Sequence, residues 1–239
     1  MRVEVMGVPI DNVTMDEALE AALRLLEKPG AAYCVTPNAE IVYETLTNEA
    51  LRRIVCQADL VLPDGAGVVL GAKILGTPLK QKVAGIDFAD NLMRLLEHTD
   101  RSFYFLGGKP GVADAAAEKL HVKYPALTVC GTHDGYFQEE KTVLEDINDK
   151  KPDVLFVCLG AGKQEQFMYD HRKDLDVGLM IGLGGSLDGF AGNVKRAPKW
   201  MIRLNLEWLY RLIKEPRRIG RMMRLPKFLL KVLARRMKG

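Results

Sequence analysis

The chain has 239 residues, of which 48% are hydrophobic and 27% are charged, a composition typical of a folded globular protein with one substantial core. No apolar run approaches the roughly 18 residues that a membrane-spanning helix needs, and the first residues alternate like a strand rather than a signal peptide. The four cysteines are far apart and lack metal-ligand spacing, which indicates reduced core side chains in a cytosolic protein.

The charge of the chain is divided unevenly along its length. Residues 195–239 contain 15 lysines and arginines against two acids, a net charge of +13, whereas residues 1–194 carry a net charge of −10. An acidic body joined to a basic tail predicts an anionic partner for the tail, which could be a membrane surface, a nucleic acid or a phosphate-bearing ligand.

Short β-favouring runs alternate with helical patterns through the first 194 residues. The predicted strands are Arg2–Ile10, Ala31–Val35, Leu60–Leu62, Ser102–Leu106, Leu127–Gly131, Asp153–Leu159 and Val177–Leu183. The main predicted helices are Met15–Lys28, Ala39–Leu46, Asn48–Ala58, Ala66–Leu75, Ile86–His98, Val112–Lys123 and Glu139–Lys150. This alternation predicts an α/β fold with a Rossmann-like, mostly parallel sheet, helices on both faces, and several strand ends that converge on one cleft.

Polar side chains follow two of the early predicted strands. Asp64 comes after Leu60–Leu62 and Pro63, which places it at the carboxyl end of a strand, where ligands bind in open α/β sheets. An Asp before a Gly is more often a turn or N-cap residue, so both interpretations stay open. Thr36 and Asn38 offer a hydroxyl and an amide to the same cleft, although Asn38 could equally cap the next helix.

Glycine-rich turns follow the later strands and predict ligand-binding loops. Such turns let backbone N–H groups approach a phosphate at a helix N-terminus, but none matches a dinucleotide fingerprint or a P-loop. An aromatic residue in one turn could stack on a nucleobase, although aromatic loop residues more often pack on their own domain. The candidate binding residues are Gly107, Gly108, Gly135, Tyr136, Gly160, Lys163 and Gly185.

The composition changes from about Arg196 onwards. Trp200, Leu204 and Trp208 recur near helical spacing among basic residues, and more aliphatic and aromatic residues follow among arginines and lysines. We predict a basic, amphipathic helical appendage over residues 195–239, joined to an α/β core over residues 1–194. Within the appendage, the helix that bears the tryptophans is expected to pack on the body.

Motifs spread along the chain, in the right order, resemble the WecG/TagA/CpsF glycosyltransferase family. The matching segments are Thr36-Pro37-Asn38, Leu62-Pro63-Asp64-Gly65, Phe105-Leu106-Gly107-Gly108, Gly135-Tyr136, Lys163-Gln164-Glu165, Arg196-Ala197-Pro198-Lys199 and Leu206-Glu207-Trp208-Leu209-Tyr210-Arg211. One departure is Gly162, where the family usually has proline, and it predicts a less rigid loop.

The resemblance implies a reaction and a place for it. N-acetylmannosamine would pass from its UDP-activated form to undecaprenyl-diphosphate-linked N-acetylglucosamine, in wall teichoic acid linkage-unit synthesis. The transfer would proceed with inversion, with no cofactor and no required metal, at the cytoplasmic face of the cell membrane. The enzyme would be peripheral there, docked on anionic lipid through its appendage and without a nucleic-acid partner.

The resemblance also implies roles for individual residues. Asp64 matches the proposed catalytic base. Polar residues of the active-site pocket are matched by Thr36, Asn38 and Gln166. Appendage residues that close over the donor diphosphate are matched by Arg211, Arg218 and Arg221.

These roles agree with the chemistry of the residues. Inverting transfer needs one base for the acceptor hydroxyl and cationic groups for the departing diphosphate, which a strand-end acid and an arginine-rich tail supply. The only DxD triplet, Asp174-Leu175-Asp176, precedes its predicted strand and so lies at the wrong sheet edge for metal-assisted diphosphate binding. Undocking of the amphipathic tail would expose apolar surface and favour self-association.

Three alternatives stay open. A nucleotide-dependent oxidoreductase would share the fold, but the missing GxGxxG motif argues against it. The second alternative is a related transferase that uses another UDP-sugar donor, because one side chain in the pocket can decide which sugar is bound. The third alternative is a non-catalytic protein that binds RNA or other anions through its basic tail.

Overall fold

The computed structural model describes residues 1–204, 206–214, 220 and 223–237, and it has the predicted α/β fold. The strands are β1 Arg2–Val5, β2 Val8–Asp11, β3 Ala32–Val35, β4 Leu60–Val61, β5 Ser102–Gly107, β6 Thr128–His133, β7 Val154–Cys158 and β8 Leu179–Gly182. The helices of the body are α1 Met15–Leu26, α2 Ala39–Glu44, α3 Glu49–Cys56, α4 Ala66–Ile74, α5 Gly85–Leu96, α6 Val112–Lys123, α7 Glu140–Lys150, α8 Lys163–Asp170 and α9 Ser186–Phe190. The tail contains α10 Lys199–Arg203, α11 Glu207–Lys214 and α12 Arg224–Arg236.

Six strands pair in parallel, in the order β4-β3-β8-β7-β5-β6. The interior strands are continuous runs of buried apolar side chains, as expected where helices cover both faces of a sheet. In β7, Leu155 and Val157 belong to one hydrophobic cluster, whereas Val154 and Phe156 belong to the cluster on the opposite face. The predicted parallel sheet with helices on both faces is therefore confirmed.

The helices divide between the two faces of the sheet. Apolar side chains of α1, α5, α6 and α9 form the core on one face. The core on the other face contains side chains of α2, α3, α4, α7, α8 and α12. Helix α12 of the tail thus contributes to the same core as five helices of the body.

The predicted strand Arg2–Ile10 is wrong in one respect, because the structure divides it into an antiparallel hairpin. β1 and β2 pair with each other and are separate from the six-stranded sheet. Met6 and Gly7 form the turn with φ values of 54° and 87°, and two consecutive positive φ values are the signature of the type I′ turn that joins tight hairpins.

The expectation that the Trp-bearing part of the tail packs on the body stays a prediction: Trp200 of α10 is 58% exposed, but its neighbour Met201 is buried. In α12, Phe228 and Val232 are fully buried. Gly67 and Gly71 of α4 lack side chains and allow α12 to approach closely. An ideal Cβ at Gly71 would lie 2.9 Å from the Phe228 ring. The predicted division of the chain at residue 194 stays a prediction.

Candidate active site

All six parallel strands deliver the residues that follow them to one edge of the sheet. In the spatial order of the strands, this carboxyl edge carries Asp64, then Thr36 and Asn38, then Gly185, then Gly160 and Lys163, then Gly107 and Gly108, and finally Gly135 and Tyr136. Neighbouring strands lie about 4.8 Å apart, so the two ends of this row are separated by about 24 Å. A single sugar ring cannot contact both ends, but an elongated ligand can.

Asp64 lies just before α4 in a turn that backbone hydrogen bonds hold. Its amide N–H donates to the carbonyl of Leu62 at 2.8 Å, and the carbonyl of Pro63 accepts from the N–H of Val83 at 3.0 Å. The N-cap of α4 is Gly65, with φ of 79°, and not Asp64. Of the two structural interpretations that the sequence left open, the turn therefore holds and the N-cap does not.

Asn38 lies against this turn and caps the next helix. An ideal Cβ at Gly65 would lie 3.4 Å from the Cβ of Asn38, so the structure brings the Asp64 turn and Asn38 together. The Asn38 Oδ1 accepts from the N–H groups of Glu40 and Ile41, at 2.9 and 3.1 Å. Because both bonds use the oxygen, the NH₂ group is the end of this side chain that can meet a ligand.

Thr36 joins the ends of β3 and β8. Its hydroxyl donates to the carbonyl of Gly182 at 2.7 Å, and the side chain is buried. The hydroxyl proton is used in this bond, so Thr36 can meet a ligand only as a hydrogen-bond acceptor. Thr36 also packs under the start of α5, since an ideal Cβ at Gly85 would lie 3.0 Å from its Cγ2.

Gln164, which is not among the predicted site residues, lies beside Gly182, whose carbonyl accepts the hydrogen bond from Thr36. Gln164 is only 2% exposed, and an ideal Cβ at Gly182 would lie 2.9 Å from its Nε2. Its Oε1 accepts from the N–H of Gly184 at 2.8 Å, and its Nε2 donates to Glu165 at 2.9 Å. The sequence did contain a signal that Gln164 is buried. Gln164 is three residues before the apolar Phe167, and residues three apart share one face of a helix.

Gln166 lies elsewhere on α8. It is exposed, and its Nε2 donates to both carboxylate oxygens of Asp170, at 2.8 and 2.7 Å. With Lys163 it lines an open pocket of about 530 Å³ that also includes Gly135 and Phe137. The structure does not join Gln166 to the hydrogen-bond network of Thr36, and its active-site role stays a prediction.

Glu165 is a fully buried acid at the start of α8 that the sequence analysis also missed. Its Oε2 accepts from the N–H of Gly162 at 2.6 Å, and its Oε1 accepts from Gln164. Burial raises the pKa of Glu165, although these hydrogen bonds work in the opposite direction. Gly162 has φ of 85°, so a proline there could supply neither this backbone conformation nor the N–H donor.

At the end of the carboxyl edge opposite Asp64, the loops that follow β5 and β6 are held together by main-chain hydrogen bonds. The N–H of Gly135 donates to the carbonyl of Gly108 at 2.9 Å, and the N–H of Gly108 donates to Cys158 at 3.3 Å. Gly107 has φ of 131°, and a side chain there would collide with the Cys158 carbonyl. Tyr136 is 67% exposed, so its ring is accessible for stacking on a nucleobase.

Several helices begin at this edge with glycine N-caps. These are α4 after Gly65, α6 after Gly111, α8 after Gly162 and α9 after Gly185. The exposed Lys163 is the first residue of α8, and Gly160 just before it has φ of 85°. Helix N-termini with bare backbone favour anionic groups, which suits a phosphate-bearing ligand.

The predicted arginines of the appendage cannot be placed relative to the described residues of this edge. Arg211 belongs to α11, but its side chain lies outside the described residues, as do Arg218 and Arg221 entirely. At the start of the tail, Arg196 forms two hydrogen bonds with Asp87 of α5, at 2.5 and 3.0 Å. Among the described residues, no group of three or more His, Cys, Asp or Glu side chains could hold a metal ion.

Comparisons with known proteins show the family of this chain. The model of the glycosyl transferase WecG/TagA/CpsF family matches residues 3–239. A relative from Bacillus spizizenii is 37% identical over 208 residues, which cover 87% of this chain and 81% of the relative. A relative from Staphylococcus aureus is 34% identical over 234 residues, which cover 97% and 92%. Both relatives bear the name N-acetylglucosaminyldiphosphoundecaprenol N-acetyl-beta-D-mannosaminyltransferase. The chain therefore belongs to the WecG/TagA/CpsF glycosyltransferase family.

Proposed function

We propose that the protein transfers N-acetylmannosamine from UDP-N-acetylmannosamine to N-acetylglucosamine linked to undecaprenyl diphosphate. The observation that supports this most directly is the carboxyl edge of the sheet, where a strand-end acid beside Asn38 occupies one end and bare glycine backbone with an exposed tyrosine occupies the other. The relatives that match nearly the whole chain are named for the same reaction.

The chemistry of the proposed transfer assigns a part to each end of this row. Asp64 acts as general base and takes the proton of the attacking acceptor hydroxyl. The acceptor oxygen forms a bond to the anomeric carbon of the donor, on the face opposite the bond to UDP. That second bond breaks, UDP leaves with the electron pair, and the configuration of the sugar is inverted.

The remaining residues hold the donor. The NH₂ group of Asn38 donates to a sugar or phosphate oxygen close to Asp64. The glycine loops and helix N-termini favour the diphosphate. The uracil stacks on Tyr136, because the length of the row separates the nucleobase from the reacting carbon. We also propose that Arg211, Arg218 and Arg221 of the appendage neutralise the departing diphosphate.

The tail is proposed to bring the enzyme to the inner face of the membrane as a peripheral protein. Leu230 and Leu233 of α12, and Met237 just after it, are exposed together with Lys227 and Lys231. Apolar side chains next to lysines suit the interface of an anionic bilayer, where each nearby lysine contributes about 1 kcal/mol. No helix in the described part of the chain is long and apolar enough to cross a bilayer.

One assay with two acceptors tests both parts of the proposal. UDP-N-acetylmannosamine is supplied with a short-chain, water-soluble diphosphate-linked N-acetylglucosamine, or with a long-chain acceptor in anionic vesicles. We expect UDP release with both acceptors, and much slower release with UDP-N-acetylglucosamine or UDP-glucose. Equal or faster use of another donor would contradict the donor assignment.

The double variant Leu230→Glu and Leu233→Glu tests the tail without disturbing its buried side. We expect at least tenfold slower turnover of the vesicle-bound acceptor and nearly normal turnover of the soluble one. Normal turnover in vesicles would contradict the docking role. Wild-type protein that releases UDP with neither acceptor would contradict the transferase proposal itself.

A further inference from the structure

The first residue of α12 joins the tail to a helix that carries a candidate site residue. Arg224 of α12 contacts two acids of α2, with its Nη1 at 3.2 Å from Glu40 Oε1 and 2.7 Å from Glu44 Oε2. All three side chains are partly buried. Glu40 and Glu44 are four residues apart, so they lie on the same face of α2 and one guanidinium can reach both.

This contact continues into the site through α2. The backbone N–H of Glu40, whose carboxylate meets Arg224, is one of the two N–H groups that the Asn38 side chain caps. The helix has only six residues, so the cap and the ionic contact lie within two turns of each other. A movement of the Glu40 end of α2 therefore moves Asn38.

The next residue of α12 packs against the helix that follows Asp64. An ideal Cβ at Gly67 would lie 2.5 Å from Leu225 Cδ1 and 2.7 Å from the Cβ of Ala39. Leu225, Gly67 and Ala39 thus pack at one point, where the first turns of α12, α4 and α2 meet. The start of α12 rests on both helices whose N-termini carry Asn38 and the Asp64 turn.

The charges around Arg224 explain why a cation is needed there. Two carboxylates four residues apart on a helix repel each other and destabilise it. They would also repel an anionic diphosphate bound at the same edge of the sheet. The negative charge of Glu44 reaches the buried network as well, since it adds to the burial that raises the pKa of Glu165.

We propose that Arg224 is a positioning residue: it bridges Glu40 and Glu44, and thereby holds Asn38 and the Asp64 turn in the geometry for transfer. Arg224 itself touches no reacting atom. The proposal rests on the proposed function, and it makes the seating of the C-terminal helix a condition for a competent site.

The matched pair Arg224→Gln and Arg235→Gln tests this directly. Both remove one positive charge from α12, but Arg235 pairs with Glu4 of β1 and not with α2. With the soluble acceptor, we expect Arg224→Gln to lower kcat on the order of tenfold, with a smaller change in the donor KM, because small misplacements of reacting groups affect the chemical step. The kcat of Arg235→Gln with the soluble acceptor should stay within about twofold of the wild-type kcat. Equal kcat values for the two variants would overturn the proposal.

Charge reversal separates positioning from a general loss of folding. Arg224→Glu alone places three acids together and should lower kcat further than Arg224→Gln. Combining Arg224→Glu with Glu44→Arg restores two acids around one arginine and should recover most of the lost kcat. A combined variant no faster than Arg224→Glu would overturn the proposal.

Amide hydrogen exchange, measured by NMR, tests the contact between Arg224 and α2 without an activity assay. The N–H groups of Glu40 and Ile41 should exchange faster in Arg224→Gln than in Arg235→Gln, because the cap of α2 is loosened. Unchanged exchange would overturn the positioning role. If wild-type protein transferred no sugar, the proposed function would fail, while this measurement would still decide whether Arg224 holds α2.

Discussion

The two edges of the parallel sheet are built by different means. At the amino edge, acids that precede strands bind the backbone of neighbouring strands. Asp59 accepts from the N–H of Tyr33 at 3.0 Å and pairs with Arg172, while Asp153 accepts from the N–H of Ser102 at 2.8 Å and pairs with Arg101. At the carboxyl edge, positive φ values recur at Gly65, Gly107, Gly108, Gly160, Gly162 and Gly184.

The difference indicates that the amino edge mainly stabilises the fold, whereas the carboxyl edge is open to a ligand. Charge-assisted hydrogen bonds to backbone hold the strand starts in register and stabilise the fold. Glycine loops at the strand ends place no side chain over the backbone, which costs backbone entropy but gives a ligand close access. β4 has an acid beyond each end, with Asp59 before it and Asp64 after it, so the same residue type has a different surrounding at each edge.

The largest expected effect comes from exchanging these two acids for their amides. Asp64→Asn removes the proposed base and should lower kcat by roughly 10²–10⁴-fold. Asp59→Asn should leave kcat nearly unchanged but lower the free energy of unfolding by about 1–3 kcal/mol, because Arg172 loses a charged partner. Steady-state kinetics and urea unfolding of both variants check the pair. Undiminished turnover in Asp64→Asn would refute the assignment of the base.

A smaller effect is expected at Asp153, and it depends on pH. Burial alone would raise the pKa of Asp153, but hydrogen bonds from Arg101 and the Ser102 backbone outweigh it and hold the pKa below its ordinary value. The stability that Asp153 contributes is therefore present above about pH 4 and is lost as the pH falls through the folded-state pKa. Asp153→Asn should be about 2 kcal/mol less stable than wild type at pH 7.

The pH profile provides the control for Asp153. The gap between wild type and Asp153→Asn in urea unfolding should narrow as the pH falls below about 4. A gap that stays constant from neutral to acidic pH would show that the carboxylate charge contributes nothing at this edge. Turnover at pH 7 should be the same for both proteins, since Asp153 lies at the amino edge.

The smallest expected effect is at Glu165, at the carboxyl edge, where the stability contribution changes with pH in the direction opposite to that of Asp153. Burial raises the pKa of Glu165 above its unfolded value, so the stability it contributes is present below the unfolded-state pKa and is lost as the pH rises through the folded-state pKa. The gap between wild type and Glu165→Gln in urea unfolding should therefore narrow as the pH rises. A gap that widens with pH would contradict the direction of the pKa shift.

Much of the fold could be predicted from local patterns. The helix predicted over Val112–Lys123 has these bounds in the structure, and the helix predicted from Met15 begins there, after a capping box at Thr14. Capping and apolar spacing act within a few residues, so they can be recognised in the sequence alone. The Met6–Gly7 turn was missed because methionine rarely adopts a positive φ, and the run around it alternates like one continuous strand.

The candidate site was predictable where it depends on strand ends. Asp64, Thr36 and Asn38 follow β4 and β3, which are neighbours in the sheet, so the prediction that their strand ends converge is confirmed. Gln164 and Gln166 could not be told apart by motif, because both are polar residues in one turn of α8. The direction in which each side chain points from the helix decided between burial beside Gly182 and exposure beside Asp170.

The sequence by itself determined the alternation of strands and helices, the family, and an acid at the end of a strand, since these depend on neighbouring residues and on motifs. Only the tertiary structure decided the spatial order of the strand ends, the burial of Gln164 and Glu165, and the packing of α12 on α2 and α4. Each of these depends on segments that are distant in the chain, as with Arg224 and Glu44, and on glycines that allow two helices to touch. Local patterns do not specify such contacts, because many pairings of apolar faces are compatible with the same periodicity.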